Sequence, residues 1–376
     1  MKIAIMGFRG IPANYGGFET FVEELAPRLV ERGHEVTVYG RSNIIDYDRK
    51  YYKGVRIRIL PTISHKYLDT VVHTFLCVID SCLRDYDIAF VLNAANSFCA
   101  FIPRLTGKKV IMNVDGIERL RKKWSTLGKL WYWMGEYLAT KFPNEIVTDC
   151  KVIEKYYLER HRKESTQIAY GAYTNKVSST KVLEKFNIKK DEYILYVSRL
   201  EPDNNAHVLV KAFEKVKTDK KLVIVGDAPY STEYIKSLKS TTDPRIIFTG
   251  YVYGEGYREF QSHAYLYVHG NEVGGTNPAL LEAMGFGNCV LAVDVPYNVE
   301  VVGDAGIPFS KHGDDLTNKL QDLIDNPAKR KAFQKRAVER IKKYYSWEDV
   351  TDKYEMLFKK VTNMRRAQSV KLKAQS

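Results

Sequence analysis

Short apolar runs rich in β-branched residues alternate with longer segments in which apolar residues recur every three or four positions. The runs predict buried β-strands, and the longer segments predict amphipathic α-helices. The predicted strands lie at 2–8, 35–39, 55–60, 88–92, 109–113, 145–148, 193–198, 222–225, 246–249, 265–268 and 289–293. The clearest helices lie at 19–32, 67–83, 328–344 and 347–361. Because strands and helices alternate, we expect an α/β protein built from doubly wound parallel sheets.

The alternation weakens at 172–187, where small and polar residues predict a linker. We therefore expect two Rossmann-like domains, at 1–172 and 173–345, that face each other across a cleft. A closing helix at 346–363, packing back toward the first domain, and a basic tail at 364–376 follow. Two domains are also the default for 376 residues, because single cores stop growing near ~250–300 residues. Doubly wound sheets bind ligands beyond the carboxyl ends of their strands, so the loops there are the expected functional sites.

The net charge of +13 is unevenly distributed. Residues 1–175 carry +7, residues 176–358 carry zero, and the last 18 residues carry +6. Such a surface attracts nucleic acid or anionic lipid, and charge alone does not choose between them or exclude an ordinary basic surface. Five cysteines without a CxxC pair, no apolar run long enough for a spanning helix, and an early charge at Lys2 favour the cytoplasm.

The loop at 8–19 follows the first predicted strand and contains the glycine pair Gly16 and Gly17. Glycines let backbone N–H groups approach an anion or a sugar, and the start of the following helix adds positive potential. The loop lacks GxGxxG spacing, which disfavours a nicotinamide dinucleotide. A simple turn remains the alternative.

A second loop, at 198–205, places Arg199 just after a strand, where a guanidinium suits phosphate oxygens. Its alternative is a surface pair between Arg199 and Glu201, which spacing alone does not reject.

The third loop, at 269–285, is the most specific. A glycine pair precedes a helix that Asn277 caps and Pro278 begins, and such a start is an anion site. Glu282, further along that helix, suits a pair of ribose hydroxyls, and Glu272 suits sugar hydroxyls. Local pairing of Glu282 is the alternative, but its sequence neighbours are apolar and offer no cation.

These segments resemble a known family. The Arg199 loop, Gly226-Asp227, the run at 248–252 and the segment at 272–285 occur in the order seen in family 4 retaining glycosyltransferases of GT-B fold. The resemblance covers nearly the whole chain. The details at 6–12, 113–118 and 272–278 are similar to bacterial rhamnosyltransferases that act on a lipid-linked sugar in cell-surface polysaccharide synthesis.

The resemblance implies a nucleotide-sugar donor, dTDP-β-L-rhamnose in that subgroup, and a polyprenyl-diphosphate-linked sugar acceptor. Arg199 would bind the donor diphosphate, Glu282 the ribose, and the segment Tyr251-Val252 would flank the base. The remaining implied donor-binding residues are Arg9, Gly16, Gly17, Asn204, Asn205, Gly226, Asp227, Gly274, Gly275, Thr276 and Asn277.

The chain departs from the family pattern at three places. Asn204 and Asn205 stand where most members carry a lysine, so a second cation must come from elsewhere, and Arg9 is the candidate. Gly274 stands where the first of two glutamates belongs, and Glu272 lies two residues early, which puts its catalytic role in question. Asp115 stands where relatives carry a histidine.

Asp115 follows a predicted strand, where a carboxylate could accept the acceptor's proton or hold its hydroxyls. Asn93 and Asn96 follow the preceding strand and are candidates for the same acceptor pocket. Turn and cap roles are the alternatives for all three. We assign the catalytic roles to Asp115, Glu272 and Arg199.

The segment at 119–140 predicts a helix with a tryptophan-rich apolar face and flanking basic residues, which is typical of bilayer interfaces. The predicted contacts with an anionic membrane are Trp124, Lys129, Trp131 and Trp133; an ordinary core-facing helix is the alternative. We therefore expect a peripheral protein on the inner face of the cell membrane. No metal-ligand spacing, cofactor motif or nucleic-acid signature is found in the sequence, so we expect no metal, no cofactor and no nucleic acid.

Three other functions remain open at this stage. They are a glycosyltransferase that uses a UDP- or GDP-sugar, a sugar-nucleotide epimerase, and a non-catalytic sugar-nucleotide-binding protein.

Overall fold

A computed structural model describes residues 1–13, 16–65, 68–228 and 231–373, with the backbone alone for 364–373. The chain divides into two compact units. Unit 1 comprises Met1–Ala169 and Trp347–Ser376, and unit 2 comprises Tyr170–Ser346. The first boundary between the units follows residue 169, three residues before the boundary expected after residue 172. Ala172 already belongs to unit 2, because its N–H donates to the carbonyl of Tyr345 at 2.9 Å.

Unit 1 alternates strands and helices, as the apolar pattern predicts. Its elements are β1 (Lys2–Met6), α1 (Gly17–Glu31), β2 (Glu35–Arg41), β3 (Tyr51–Tyr52), β4 (Val55–Leu60), α2 (Asp69–Cys82), β5 (Ile88–Leu92), α3 (Ile102–Leu105), β6 (Lys109–Asn113), α4 (Thr126–Ala139), β7 (Glu145–Thr148), α5 (Lys151–His161) and β8 (Thr166–Gln167). Within the described residues the sheet has the order β3-β4-β2-β1-β5-β6-β7-β8. Its pairs are parallel apart from β3–β4. The direction of winding reverses between β1 and β5, which marks the crevice where such sheets bind ligands.

Unit 2 repeats the arrangement with a smaller sheet. Its elements are α6 (Lys181–Lys185), β9 (Tyr193–Val197), α7 (Ala206–Glu214), β10 (Lys221–Val225), α8 (Thr232–Leu238), β11 (Ile246–Gly250), α9 (Gly254–His263), β12 (Leu266–His269), α10 (Pro278–Gly285), β13 (Val290–Val293), α11 (Pro296–Val302), β14 (Ile307–Phe309), α12 (Asp315–Asp325) and α13 (Pro327–Tyr344). Across the described part of the unit the parallel sheet runs β11-β10-β9-β12-β13-β14, and winding reverses between β9 and β12. The two Rossmann-like domains expected from the sequence are present.

The closing helix, α14 (Trp347–Lys373), belongs to unit 1. Its buried rings Tyr354 and Phe358 pack on Phe90 of β5, with ring centroids 5.4 and 5.6 Å apart. The amide of Asn113, at the end of β6, donates to the Tyr354 hydroxyl at 3.1 Å. The expectation that this helix packs onto the first domain is therefore confirmed.

The expected end of this helix at 363 is wrong. The helix continues through Lys373, because residues 364–373 contain no glycine or proline to stop it. The side chains of the basic tail expected at 364–376 lie outside the described residues, as does Tyr67 at the start of the helix predicted for 67–83.

Two other expectations need correction. The linker expected at 172–187 contains the short helix α6, because Leu183 is buried there. The helix expected over 119–140 begins only at Thr126, where Ser125 caps it by accepting a hydrogen bond from the Gly128 N–H at 3.4 Å. Before it lies a separate 3₁₀ turn, Glu118–Leu120.

An ion cluster fastens α14 to the start of β2. The Glu355 carboxylate pairs with Lys359 at 2.6 Å, with His34 at 3.0 Å and with Arg32 at 3.4 Å. The hydrogen bond from Lys359, followed by that from His34, lowers the pKa of Glu355 from 4.5 to about 2. A carboxyl group with a lowered pKa stabilises the folded state above its unfolded pKa and loses that contribution as the pH falls.

We predict that Glu355→Gln lowers the free energy of unfolding at pH 7 by about 1 kcal/mol. Denaturant unfolding at several pH values measures it, and the deficit relative to wild type should vanish between pH 4.5 and about 2. The control is Glu348→Gln on the same helix, whose carboxylate pairs with Arg32 at 3.0 Å but is three-quarters exposed. An equal, pH-independent loss in both variants would contradict the assignment.

Candidate functional site

The loops that follow β9 and β12 meet at the switch point of unit 2. Arg199 lies two residues beyond β9 with its side chain one-third exposed, and its guanidinium is 3.8 Å from the Glu201 carboxylate. This separation is too long for a hydrogen bond, so the surface pair considered from the sequence exists but leaves guanidinium donors available. An arginine with this exposure at a strand end can bind an anion.

Asn204 and Asn205 join the two loops. The Asn204 side chain donates to the carbonyl of Arg199 at 2.7 Å, and the Asn205 side chain donates to the carbonyl of Gly270 at 2.8 Å. Both asparagines are almost fully buried. A Cβ on Gly270 would lie 2.3 Å from the Asn204 carbonyl oxygen, so this close approach requires glycine. Donor contact by Asn204 and Asn205 stays a prediction, and the bonds observed here are structural.

The Glu272 carboxylate is held from two sides. Its Oε1 accepts hydrogen bonds from Asn205 Nδ2 at 2.7 Å and from Lys311 Nζ at 2.6 Å. The Glu272 N–H donates to the carbonyl of Asp203 at 3.1 Å. Lys311 lies beyond the edge strand β14, and no sequence signal connected it with this loop. Tertiary folding thus brings a cation to the loop from 39 residues away.

The start of α10 has the geometry that the sequence predicts. The Asn277 side chain accepts a hydrogen bond from the Ala279 N–H at 3.0 Å, and Pro278 occupies the first turn. Gly274 has φ 147°, a conformation that L-residues avoid. Gly275 is half-buried and Thr276 is buried. The backbone N–H groups of this turn form a potential anion site beside Arg199's loop.

Glu282, on α10, accepts a hydrogen bond from the hydroxyl of Tyr257 on α9 at 2.5 Å. Gln261 in turn donates to that hydroxyl at 3.0 Å. Burial, then the charge of Glu282, raises the pKa of Tyr257 well above its ordinary value, so the hydroxyl remains a donor. The carboxylate is therefore oriented by a tyrosine, a partner that its apolar sequence neighbours did not reveal.

The neighbouring strand ends carry the other candidates of unit 2. The Gly226 N–H donates to the carbonyl of Gly250 at 2.9 Å, and Asp227 caps the next turn by accepting from the Ala228 N–H at 2.8 Å. Tyr251 stacks on Tyr253, with ring centroids 5.7 Å apart and planes at 15°. Val252 lies between them in sequence and is half-buried. Tyr253 was missed from the sequence, although alternation of two tyrosines beyond a strand could have indicated it.

In unit 1, Arg9 lies just beyond β1. Its N–H donates to Glu19 Oε1 at 3.1 Å, and its carbonyl accepts from the Arg41 N–H at 2.9 Å. Gly16 is the cap of α1 and Gly17 its first residue. Arg41 is a buried cation missed by the sequence analysis; it pairs with Asp69 at 2.9 Å, and burial lowers its pKa.

Asn93 and Asp115 follow the adjacent strands β5 and β6. Both have positive φ, 72° and 57°, which is uncommon for residues other than glycine and is typical of functional or tight-turn positions. The Asn93 N–H donates to the carbonyl of Asn113 at 2.9 Å, while Asn113 Oδ1 accepts from the Asp115 N–H at 3.0 Å. Asn93 also caps the following turn through the Ala95 N–H at 2.9 Å. Asn93 and Asp115 thus lie close together at the carboxyl ends of two adjacent strands.

The expected acceptor contact of Asn96 is wrong. Its side chain is completely buried because the amide nitrogen donates to the carbonyls of Gly7 at 3.0 Å and Leu92 at 2.8 Å. These bonds join β1 to β5 inside unit 1, so Asn96 holds the switch point together.

Helix α4 does not present the face expected from the sequence. Trp131 donates to the carbonyl of Ala95 at 3.2 Å, and Trp124 lies before the helix against Tyr132, with ring centroids 5.1 Å apart. Both tryptophans are therefore anchored in unit 1 rather than presented outward. Trp133 and Lys129 are exposed, as expected. The exposed apolar side chains are Leu127, Leu130, Trp133, Met134 and Tyr137, which recur at helical spacing on one side.

Each half of the chain matches a known protein family. Residues 15–170 match the family Glycosyltransferase Family 4, and residues 178–340 match the family Glycosyl transferases group 1. Each half of the chain therefore resembles one domain of a GT-B glycosyltransferase. Both matches fall where the strand-end loops just described lie.

Two curated relatives and two solved structures illustrate the likeness of this GT-B protein. O-antigen chain mannosyltransferase B of Escherichia coli is 27% identical over 45% of this chain and 46% of its own length. The N-acetylgalactosamine-N,N'-diacetylbacillosaminyl-diphospho-undecaprenol 4-alpha-N-acetylgalactosaminyltransferase of Campylobacter jejuni is 24% identical over 47% and 49%. This chain spans about half the length of these two curated relatives.

The solved structures match over almost the whole chain. Sucrose-phosphate synthase of Thermosynechococcus elongatus superposes with a TM-score of 0.81 at 17% identity, covering 96% of this chain and 99% of that one. Anabaena HepE in complex with UDP and glucose has a TM-score of 0.76 at 16% identity, covering 96% and 100%. At these identities the likeness shows the fold alone.

Over the residues that the structure describes, no helix is long and apolar enough to cross a membrane. The same part of the chain holds no group of three or more His, Cys, Asp or Glu side chains that could bind a metal ion.

His269, the last residue of β12, is buried just before the loop that carries Glu272. Neither ring nitrogen has a hydrogen-bond partner in the described part of the chain, and burial lowers its pKa to about 3. The imidazole is therefore neutral and does not act as an acid or a base near neutral pH.

We predict that the His269 ring shows no protonation between about pH 8 and about pH 5, where an ordinary imidazole titrates. NMR of the ring Cε1–H signal follows this, and the His269→Gln variant assigns the signal by its loss. A titration midpoint above pH 5 would contradict the buried, unpartnered environment.

Proposed function

We propose that this protein is a glycosyltransferase of cell-surface polysaccharide synthesis. It transfers L-rhamnose from dTDP-β-L-rhamnose to a sugar on a polyprenyl diphosphate, such as N-acetylglucosamine, with retention of configuration. The observation that carries the proposal is that Arg199, the loop of Gly274, and the carboxylates Glu272 and Glu282 all lie on the segments that follow the adjacent strands β9 and β12.

Related proteins support a nucleotide-sugar donor and a lipid-linked acceptor. HepE was solved with UDP and glucose, and the name of the Campylobacter relative includes a diphospho-undecaprenol acceptor. The choice of rhamnose and of dTDP rests on the sequence resemblance of the segments at 6–12, 113–118 and 272–278.

The diphosphate of the donor would lie against Arg199 and the N–H groups at the start of α10. These groups oppose the negative charge that grows on the leaving phosphate, which is the largest electrostatic demand of the reaction. We propose that they meet it without a metal ion. Glu282, oriented by Tyr257, would accept hydrogen bonds from the ribose hydroxyls, and the Tyr251–Tyr253 stack would flank the base.

In the transfer step, the bond between the sugar's anomeric carbon and the diphosphate oxygen breaks. The acceptor hydroxyl oxygen bonds to that carbon on the same face, and its proton passes to the leaving phosphate oxygen. Asp115, which lies beside Asn93 at the carboxyl ends of β5 and β6, would orient the acceptor hydroxyl.

We predict that Arg199→Ala lowers kcat/KM for transfer at least ~100-fold while the unfolding transition stays unchanged, because a phosphate-binding cation is lost. Arg336→Ala, an exposed arginine on α13 of the same unit, is the control and should retain wild-type transfer. Full activity of Arg199→Ala would contradict the diphosphate assignment.

The substrate is tested with dTDP-, UDP- and GDP-sugars offered with short-chain lipid-diphosphate N-acetylglucosamine. Transfer from dTDP-rhamnose supports the proposal, and transfer from a UDP- or GDP-sugar alone overturns the donor. Conversion of the donor without an acceptor would indicate an epimerase. Binding of the donor without turnover would indicate a sensor.

We propose further that α4 docks unit 1 on an anionic membrane. Leu127 is 78% exposed and Trp133 is 46% exposed, on the same side of the helix as Leu130, Met134 and Tyr137. Exposed lysines, Lys129 and Lys141, flank this apolar face. An apolar helix face bordered by lysines lies in the headgroup region of anionic bilayers.

We predict that the double variant Leu127→Ser, Trp133→Ser binds anionic phospholipid vesicles about tenfold more weakly than wild type, since it removes exposed apolar area. Vesicle co-sedimentation measures this, with Leu158→Ser on α5, about half exposed, as the control. Added salt should also weaken wild-type binding. Equal binding by both variants, or no binding by wild type, would rule out this surface.

A further inference from the structure

Lys311, which pairs with Glu272, has no role in the proposed chemistry. Lys311 lies two residues beyond the edge strand β14 and Glu272 three beyond β12, with β13 between these strands. The lysine therefore reaches across the carboxyl edge of the sheet, toward its centre, to donate to Glu272 Oε1 at 2.6 Å.

Three elements converge on the segment that carries Glu272. Asn205 donates to the carbonyl of Gly270 and to Glu272 Oε1. Asn298 of α11 donates to the carbonyl of Asn271 at 3.0 Å, and Ser198 donates to the Asn271 side chain at 3.0 Å. A segment tied in this way is held rigid, and rigid support is what precise substrate contacts require.

The two carboxylate oxygens of Glu272 have different surroundings. Oε1 accepts from both Asn205 and Lys311, whereas Oε2 has no hydrogen-bond partner among the described residues. The side chain is 17% exposed, so it borders open space without being free to turn. One oxygen is fixed, and the other is left to accept a hydrogen bond.

Glu272 is also the acidic residue available in this loop. The segment from 270 to 277 contains no other carboxylate, and at Gly274 a φ of 147° disfavours any residue with a side chain. A carboxylate for the loop must therefore come from position 272 and must be aimed by groups outside the loop.

We propose that Lys311 is a positioning residue for the donor sugar. Together with Asn205 it holds the Glu272 carboxylate so that Oε2 accepts hydrogen bonds from hydroxyl groups on the sugar ring of the donor. This inference rests on the proposed function, since it names the sugar-binding group of that same donor site.

The geometry distinguishes this role from direct phosphate binding by Lys311. Its ammonium is already paired with a carboxylate, and a phosphate at the same place would lie beside the negative charge of Glu272. Loss of Lys311 should therefore affect recognition of the sugar and leave recognition of the nucleoside diphosphate unchanged.

The experiment compares Lys311→Met, which removes the charge, with Lys311→Arg, which retains a cation. Lys319→Met is the matched control, because Lys319 pairs with Asp315 of the same unit at 2.7 Å and is 34% exposed, against 2.6 Å and 36% for Lys311. Calorimetry measures binding of dTDP and of dTDP-rhamnose, and a transfer assay measures kcat and KM. If another nucleotide sugar is the donor, that sugar and its diphosphate are used.

Lys311→Met should lower kcat/KM about 10- to 100-fold, as loss of an orienting partner commonly does. Its affinity for the nucleoside diphosphate should stay within about twofold of wild type, since the phosphate groups are bound elsewhere. Lys311→Arg should recover most of the activity, and Lys319→Met should match wild type.

A double-mutant cycle tests whether Lys311 acts through Glu272. In a Glu272→Gln background, adding Lys311→Met should lower kcat/KM by a further factor of less than about two, because the carboxylate that Lys311 positions is already altered. Full additivity of the two losses would overturn the proposal.

Two further results would overturn it and are distinguishable. Weakened binding of the nucleoside diphosphate itself by Lys311→Met would make the lysine a phosphate ligand. Wild-type behaviour of Lys311→Met in an active enzyme would make the pair an ordinary ion pair. If wild type neither binds a nucleotide nor transfers a sugar, the proposed function fails, and this inference fails with it.

Discussion

The candidate site depends on the hydrogen bonds that join the loop after β9 to the loop after β12. The buried side chain of Asn205 donates to the carbonyl of Gly270 and to the carboxylate of Glu272, and the side chain of Asn204 donates to the carbonyl of Arg199. Breaking these bonds would leave buried amide and carbonyl groups unpaired, at a cost of about 1–3 kcal/mol for each group. The positions of the candidate phosphate ligand and of the candidate sugar ligand are therefore coupled.

The sheet makes this junction possible. β9 and β12 are adjacent parallel strands, and their apolar side chains belong to one buried core. Burial of the strands fixes their register, so both carboxyl ends emerge at one edge without help from the loops. The loops can then carry polar residues and a backbone conformation reserved for glycine, because the core supplies the stability.

The sequence predicted the strands and the loops far better than the contacts among them. The strands at 55–60, 88–92, 109–113 and 145–148 were placed to the residue. The last three are mainly buried apolar runs, and the first alternates apolar residues with two arginines. The short strands β3, β8 and β14 carry too few residues for a pattern. Lys311 and Tyr257 contact Glu272 and Glu282 across 39 and 25 residues, and only tertiary folding creates such pairs. The family pattern indicated Glu282 and put the role of Glu272 in question, and it did not indicate the partners that orient the two carboxylates.

Helix α4 shows why periodicity alone could not identify the outward face. Its stripe of tryptophans and leucines suggested one apolar side, yet the buried side is formed by Tyr132, Gly135, Glu136 and Ala139. Glu136 is buried because Arg119 pairs with it at 3.1 Å and Tyr156 donates to it at 2.7 Å. The side of α4 that packs against the rest of unit 1 thus contains a buried carboxylate, and several apolar side chains of the helix lie on its exposed side. The excess positive charge lies in residues 1–175, which include α4, and in the last 18 residues, while residues 176–358, which hold the candidate diphosphate ligand, are neutral. An anionic surface is the partner that this excess charge would complement, whereas the proposed diphosphate would require only the local charge of Arg199 and the N–H groups of one helix.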